Sequence, residues 1–113
     1  MSGVLENKDP MQISLSEIFD YADKNLNHAR WIFGDAKHNL CCAVGAVSYV
    51  LSNGKTTYAG SLKKIDPNLR KRYRFLLKEF QKRDKYHIPL FIYNDWFFYS
   101  FNNLAHKCRS LGL

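Results

Sequence analysis

The sequence contains few cysteines and no long apolar run. Its three cysteines include the adjacent pair Cys41 and Cys42 but no Cys-x-x-Cys, so neither a disulfide framework nor a cysteine zinc site is indicated. No stretch of about 18 apolar residues is present, which argues against a membrane-spanning helix. Residues 1–10 lack the basic start and apolar centre of a signal peptide. We therefore expect a cytoplasmic protein with reduced thiols, no membrane association and no cofactor.

Acidic residues are also scarce, with 10 Asp and Glu against 17 Lys and Arg, a net charge of +7. The excess is confined to residues 63–87, which carry ten basic and three acidic residues. The remainder of the chain, with seven of each sign, is neutral. Positive charge concentrated in one segment favours a polyanion as the binding partner.

The chain of 113 residues, 46% of them hydrophobic, is long enough for one packed core and too short for two ordinary domains. We predict a flexible lead-in over 1–12 and a single domain over 13–113. The uncharged stretch 40–51 predicts a helix that is apolar nearly all round and therefore buried. The expected fold is all-α, a bundle of about four helices around this central helix, 40–53.

Capping residues set the expected helix boundaries. Ser14 and Glu17 form a capping box for the first helix, and Asp66 with Pro67 opens the third, which runs to about Arg83. Asn39 is expected to cap the central helix. The central helix is expected to end at Gly54 and to be followed by a loop over 55–65. Residues 90–93 are expected to form either a helical turn, which is favoured, or a short strand. The last helix is expected to be capped by Asp95 or Ser100 and to stop at Gly112.

Three short motifs occur in a recognisable order. They are Trp31-x-x-Gly34, then Cys42-Ala43-Val44-Gly45-Ala46-Val47, then Asn94-Asp95 followed by a final helix with Ala105 and Arg109. This order resembles a family of short uncharacterised proteins of bacteria, especially actinobacteria, and their phages, which carry Trp-x-x-Gly, Cys-Ala-x-Gly-Ala and Trp-Asn-Asp. The likeness covers about 15–111, with Tyr93 where the family usually has Trp. It implies a common small fold and no particular activity.

A cysteine nucleophile is one candidate chemistry. If Cys41 and Cys42 lie in the first turn of the central helix, the helix dipole would lower a thiol pKa, and His106 with Asn94 or Asp95 could complete a Cys-His-Asn/Asp arrangement. This would make the protein a hydrolase or transferase. In the alternative interpretation the cysteines are small core residues, Asp95 caps the last helix and His106 is solvated.

A metal site is a second candidate, formed by Asp35, His38 and one of the cysteines Cys41 and Cys42. Their spacing would suit one helical face, but Asn39 would end that face and no second ligand pair follows, so we predict no metal. The other histidines near helix ends, His28 and His87, are interpreted as surface imidazoles.

The basic face of the third helix is the favoured site. Opposite its apolar stripe a helical wheel places a positive strip about 18 Å long, formed by Arg70, Lys71, Arg74, Lys78 and Lys82. Phe75 lies among these cations and could stack on an unpaired base of RNA or DNA. A simple solvated face is the alternative. We predict a non-catalytic binding module whose basic helix contacts nucleic acid or another polyanion.

The aromatic run 96–101 suggests a third class of function. Its five aromatic residues cannot all face one core from a single helix, so Trp96, Phe98 and Tyr99 could form a homodimer surface. The favoured alternative is a second core layer packed over Trp31 and Tyr49.

Overall fold

The computed structural model of the protein describes residues 8–113, which contain six α-helices and one three-stranded sheet. The helices are α1 (Leu15–Asn25), α2 (Ala43–Leu51), α3 (Ala59–Ile65), α4 (Pro67–Arg83), α5 (Leu90–Asp95) and α6 (Phe101–Ser110). The strands are β1 (Asn27–His28), β2 (Gly34–Asp35) and β3 (Leu40–Cys41). The molecule is thus mostly helical, and the all-α prediction is wrong in omitting the sheet.

The sheet changes the start of the central helix. Leu40 and Cys41 are extended because β3 pairs in parallel with β1 and antiparallel with β2. The predicted helix 40–53 is therefore shorter, and α2 begins at Ala43 with Cys42 as its N-cap. Asn39 does not cap this helix but adopts a left-handed φ of 53° before β3, and its side chain accepts a hydrogen bond from the Tyr49 hydroxyl at 2.9 Å.

Helix α2 lies at the centre of the core, as predicted, and all nine of its residues are buried. Helices α1 and α6 pack against each other, and α1, α4 and α5 contact α2. Residues 1–7 of the predicted lead-in lie outside the described residues. The rest of that segment contains a 3-10 turn, Pro10–Gln12, which contacts α4.

Most of the predicted helix ends are confirmed. Ser14 and Glu17 form the capping box of α1, Asp66 caps α4 with Pro67 at its first position, and Ser100 rather than Asp95 caps α6. The helical turn favoured after Pro89 is α5. The predicted loop 55–65 is wrong in its second half, because α3 forms there around the buried Leu62. A seven-residue helix with one buried anchor is too short to show a clear period.

Glycine allows the segment between β1 and β2 to approach α2 closely. A Cβ added at Gly45 would lie 2.0 Å from the carbonyl oxygen of Phe33, and one added at Gly34 would lie 1.9 Å from that of Leu40. Gly34 also has a φ of 117°, which L side chains rarely adopt. Both glycines therefore position residues 31–34 against the start of α2.

Candidate binding site

The three sequence motifs meet in space. The Cys42 N–H donates to the Phe33 carbonyl at 3.1 Å, and the Trp31 N–H donates to Asp95 Oδ1 at 2.9 Å. The Ala43 N–H donates to Asn94 Oδ1 at 3.0 Å. Residues 31–34, the N-terminus of α2 and the C-terminus of α5 are thus held together by hydrogen bonds between segments far apart in the sequence.

Asn94 is the centre of this junction and is only 1% exposed. Its Nδ2 donates to the Ala29 carbonyl at 3.2 Å and to Asp95 Oδ1 at 2.6 Å, while its Oδ1 accepts from Ala43 and from the ring of His28. Every hydrogen-bonding group of the buried amide is therefore used. Such a fully satisfied polar group fixes the relative positions of β1, α2 and α5.

His28 is part of the junction rather than a surface imidazole. Its ring stacks on Phe101 at a centroid distance of 4.0 Å, and its Nε2 must donate to Asn94 Oδ1 because an amide oxygen can only accept. Burial lowers the pKa of His28, against the opposing effect of the Asn94 hydrogen bond. The lowered pKa favours the neutral form of the imidazole.

A cavity of about 290 Å³ opens beside the junction. Its walls are mainly aromatic and aliphatic, with one thiol and one carboxylate, and are formed by Trp31, Ile32, Phe33, Cys42, Val44, Tyr73, Leu77, Phe91 and Asp95. A small apolar pocket with few polar groups is typical of a ligand site. Its only charged wall residue is Asp95, whose Oδ2 has no hydrogen-bond or ion-pair partner within residues 8–113.

The cysteines do not have the environment that the nucleophile hypothesis requires. Burial raises the pKa of Cys42, which is 5% exposed and accepts a hydrogen bond from the Gly45 N–H at 3.3 Å. Burial also raises the pKa of Cys41, a strand residue, to about 12. A nucleophilic thiol needs the opposite shift.

The proposed catalytic set is only partly assembled. Cys42 and Asp95 line one cavity and Asn94 lies next to them, but His106 lies on the exposed face of α6. Within residues 8–113 His106 forms no hydrogen bond or ion pair. The histidine that does reach Asn94 is His28.

The candidate metal ligands do not form a cluster. Asp35 Oδ2 and His38 Nδ1 are 2.5 Å apart, whereas Cys41 and Cys42 are buried in the core. Among residues 8–113 no group of three His, Cys, Asp or Glu side chains could hold a metal ion.

The basic face of α4 is open to solvent. Lys71, Arg74, Lys78 and Lys82 are exposed and Arg70 is half-buried, and within residues 8–113 none of these five cations forms an ion pair. Two other arginines of the helix have structural roles. Arg72 donates to the Ile13 carbonyl at 2.8 Å, and Arg83 donates to the carbonyl oxygens of Leu111 and Gly112.

Phe75 is 51% exposed on the basic face, with the guanidinium of Arg72 at 5.4 Å from its ring centroid. Beside it, a cleft of about 290 Å³ is lined by Lys63, Pro67, Arg70, Lys71 and Arg74. An exposed ring among cations is the arrangement that stacks on unpaired bases.

A groove connects the basic face with the aromatic cavity. A second cleft, of about 330 Å³, shares Val44, Leu77 and Phe91 with the cavity and continues to Lys78 and Gln81. A third, of about 340 Å³, extends from Lys78 to Lys82 and His87. The groove is therefore apolar at one end and basic at the other.

No family model matches this chain. No match is found among curated proteins or among solved structures either, so the family resemblance stays a prediction. Among the helices in residues 8–113, none is both long and apolar enough to cross a bilayer.

The aromatic run 96–101 is divided between surface and core. Trp96 and Phe98 are 61% and 62% exposed, while Tyr99 is half-buried and packs edge-on against Tyr93 at a centroid distance of 5.0 Å. The Trp96 ring contacts Trp31 at 4.9 Å, but Trp31 is itself exposed, so these two rings form an outer surface rather than a second core layer. A homodimer through this surface stays a prediction.

Sequence reasoning missed most of the cavity. Trp31 and Phe33 appear in the sequence as part of a break between helices, and Phe91 as part of a short apolar run. Their convergence depends on the sheet and on the side chains of Asn94 and Asp95, whose hydrogen bonds join residues 51 to 65 positions apart. The only available signal was the presence of Trp31, Cys42 and Asn94-Asp95 in the three motifs.

Proposed function

We propose that this protein is a cytoplasmic, non-catalytic binding module that holds single-stranded nucleic acid along the basic face of α4. The observation that carries the proposal is the row of five cations without ion-pair partners in residues 8–113. Lysines and arginines paired with acidic neighbours would lose those partners on binding phosphate. Unpaired cations are free to replace the counterions that surround a nucleic-acid backbone.

The aromatic residues favour a single strand over a duplex. Phe75 is half exposed within the row, and the groove leads from Lys78 to the cavity wall at Phe91. A duplex keeps its bases stacked inside, whereas a single strand can place bases on exposed rings.

The enzymatic alternative receives less support. Burial raises the pKa of Cys42, and the exposed His106 forms no hydrogen bond or ion pair with residues 8–113 that would orient it as a base. All three cysteines are free thiols, which agrees with the proposed cytoplasmic location.

Binding of oligo(dT) at several salt concentrations tests the proposal. The logarithm of the association constant should fall linearly with that of salt, and replacing Lys71, Arg74 and Lys78 with Gln should reduce the slope by about 2. The matched control replaces Lys24, Lys37 and Lys55 with Gln, since these exposed cations lie outside α4. The control removes the same charge and should retain most of the slope.

Phe75→Ala separates base stacking from general attraction. It should weaken oligo(dT) binding by about 1–3 kcal/mol and leave duplex binding nearly unchanged. Phe98→Ala is the matched control, because Phe98 is also an exposed ring with an arginine, Arg30, at 5.3 Å. Failure of the wild-type protein to bind oligo(dT), RNA or duplex DNA at about 50 mM salt would refute the proposal.

A further inference from the structure

The cavity bounded by Trp31, Phe91 and Asp95 is chemically unlike the basic face. Among residues 8–113 no lysine or arginine lines it, and the one charged wall residue is Asp95. Of the nine wall residues from the described part of the chain four are aromatic, namely Trp31, Phe33, Tyr73 and Phe91. Within an otherwise basic protein, this cavity therefore has a locally negative wall.

The Asp95 carboxylate is positioned by the protein but not neutralised. Its Oδ1 accepts from the Trp31 N–H and from Asn94 Nδ2, which fix the side chain, while Oδ2 has no partner in residues 8–113. No lysine, arginine or histidine of the described chain forms an ion pair with it. A ligand could therefore supply the missing positive charge.

The N-terminus of α2 does not favour an anion in the same cavity. Its Ala43 N–H is bonded to Asn94 Oδ1 and its Gly45 N–H to the Cys42 sulfur. Both donors are satisfied within the chain, so an anionic ligand would face the Asp95 charge and would not gain them.

We propose that this cavity binds a small organic ammonium ion, with its charge near Asp95 and its alkyl groups against the aromatic walls. Aromatic side chains attract quaternary ammonium groups through the negative potential of their ring faces. An apolar pocket also accommodates the methyl groups of such a cation better than it accommodates a hydrated metal ion. This proposal does not rest on nucleic-acid binding by α4, although Tyr73 and Leu77 of that helix contribute to the cavity wall.

Choline and its uncharged isostere 3,3-dimethylbutan-1-ol test the proposal. The full chain is titrated with each compound, and the fluorescence of the two tryptophans is followed. Trp31 lines the cavity, and the ring of Trp96 packs against Trp31. Because the two compounds have nearly the same shape, a difference between them reports the charge. Choline should bind about tenfold or more tightly than the alcohol.

Two variants locate the site. Asp95→Asn keeps an oxygen acceptor for Trp31 and should reduce choline affinity about tenfold while leaving the alcohol unchanged. Phe91→Ala, at a position 46% exposed and so tolerant of truncation, should reduce choline affinity by about two- to fivefold. Pro89→Ala, outside the cavity wall, is the control.

Three outcomes would overturn the proposal. Equal affinity for choline and the alcohol would identify an apolar cavity without cation selectivity. Absence of saturable binding by either compound would show that this ligand class is wrong. Unchanged choline affinity in a folded Asp95→Asn or Phe91→Ala protein, judged by an unchanged circular dichroism spectrum, would place the binding elsewhere.

Discussion

Helices α4 and α5 follow each other in the chain but are held by different interactions. Most polar residues of α4 face solvent, apart from Arg72 and Arg83, which donate to neighbouring carbonyl oxygens, and the apolar stripe of the helix packs on the core. Helix α5 has only six residues and is held at two buried polar junctions, one around Asn94 and one where Tyr93 reaches Asp84. The long helix can therefore vary its surface for binding, whereas the short helix depends on specific partners.

The Asp84 junction differs from the Asn94 junction in being charged. Asp84 Oδ1 accepts from the Tyr93 hydroxyl at 2.7 Å and from Lys107 Nζ at 2.8 Å, and its Oδ2 accepts from the Tyr86 and Ile88 N–H groups. The contacts of Oδ1 join the α4–α5 connection to α5 and α6, and those of Oδ2 lie within the connection itself. The comparison thus predicts that stability depends on the α5 junctions and binding depends on the α4 face.

Removing the Asn94 amide should have the largest effect. Asn94→Ala leaves the Ala43 N–H, the Ala29 carbonyl and the His28 ring without their partner, and several lost buried hydrogen bonds together should cost about 3–4 kcal/mol of unfolding free energy. Urea denaturation would measure this loss. Asn102→Ala, at an exposed position in α6, is the control and should change stability by less than about 0.5 kcal/mol.

Helix α4 is easier to predict from the sequence than α5, because local interactions define α4 whereas long-range contacts hold α5. The bounds of α4 follow from the Asp66 cap, Pro67 and an apolar period, all local in sequence. Its exposed cations follow from the same period. Local rules therefore predict α4 and its basic face.

The cavity depends on long-range pairing, which local rules do not describe. The strands have two residues each, too few for an alternating pattern, and they form because β3 finds partners on both sides. The burial of Cys42 could thus be predicted from the apolar stretch around it, but its position as the N-cap that follows a strand could not. Similarly, the sequence suggests a surface position for His28 because its partner Asn94 lies 66 residues away.

The second-largest effect on stability should come from acid, which protonates Asp84 and so weakens the charged junction. Burial would raise the pKa of Asp84, but the hydrogen bonds from Lys107, Ile88 and Tyr93 outweigh it and lower this pKa to about 2. Since the pKa in the unfolded chain is higher, the junction stabilises the protein fully above about pH 5 and loses that stabilisation as the pH falls towards 2. The contribution of Asp84 near pH 7 should be about 2 kcal/mol.

Unfolding free energies measured from pH 7 down to pH 2 would show this loss. Asp20→Asn is the matched control, because Asp20 forms a comparable 2.7 Å ion pair with Arg109 but at the surface, where such pairs contribute about 0–1 kcal/mol. Asp84→Asn should make the unfolding free energy much less dependent on pH over this range, whereas Asp20→Asn should leave its pH dependence nearly unchanged. Equal effects of the two variants would mean that burial of Asp84 adds nothing, and the contrast between buried and exposed polar residues would fail.

The smallest effect on stability is expected on the basic face. Replacing Lys71, Arg74 and Lys78 with Gln removes three exposed cations that have no ion-pair partners in residues 8–113, and Gln is nearly as good a helix former as Lys or Arg. The unfolding free energy should change by less than about 0.5 kcal/mol. Because mutual repulsion along the row is relieved, any change should be towards greater stability at low salt and should vanish as salt screens the charges. A loss of more than about 1 kcal/mol would show that these cations hold the fold. The division between a supporting α5 and a freely variable α4 surface would then have to be abandoned.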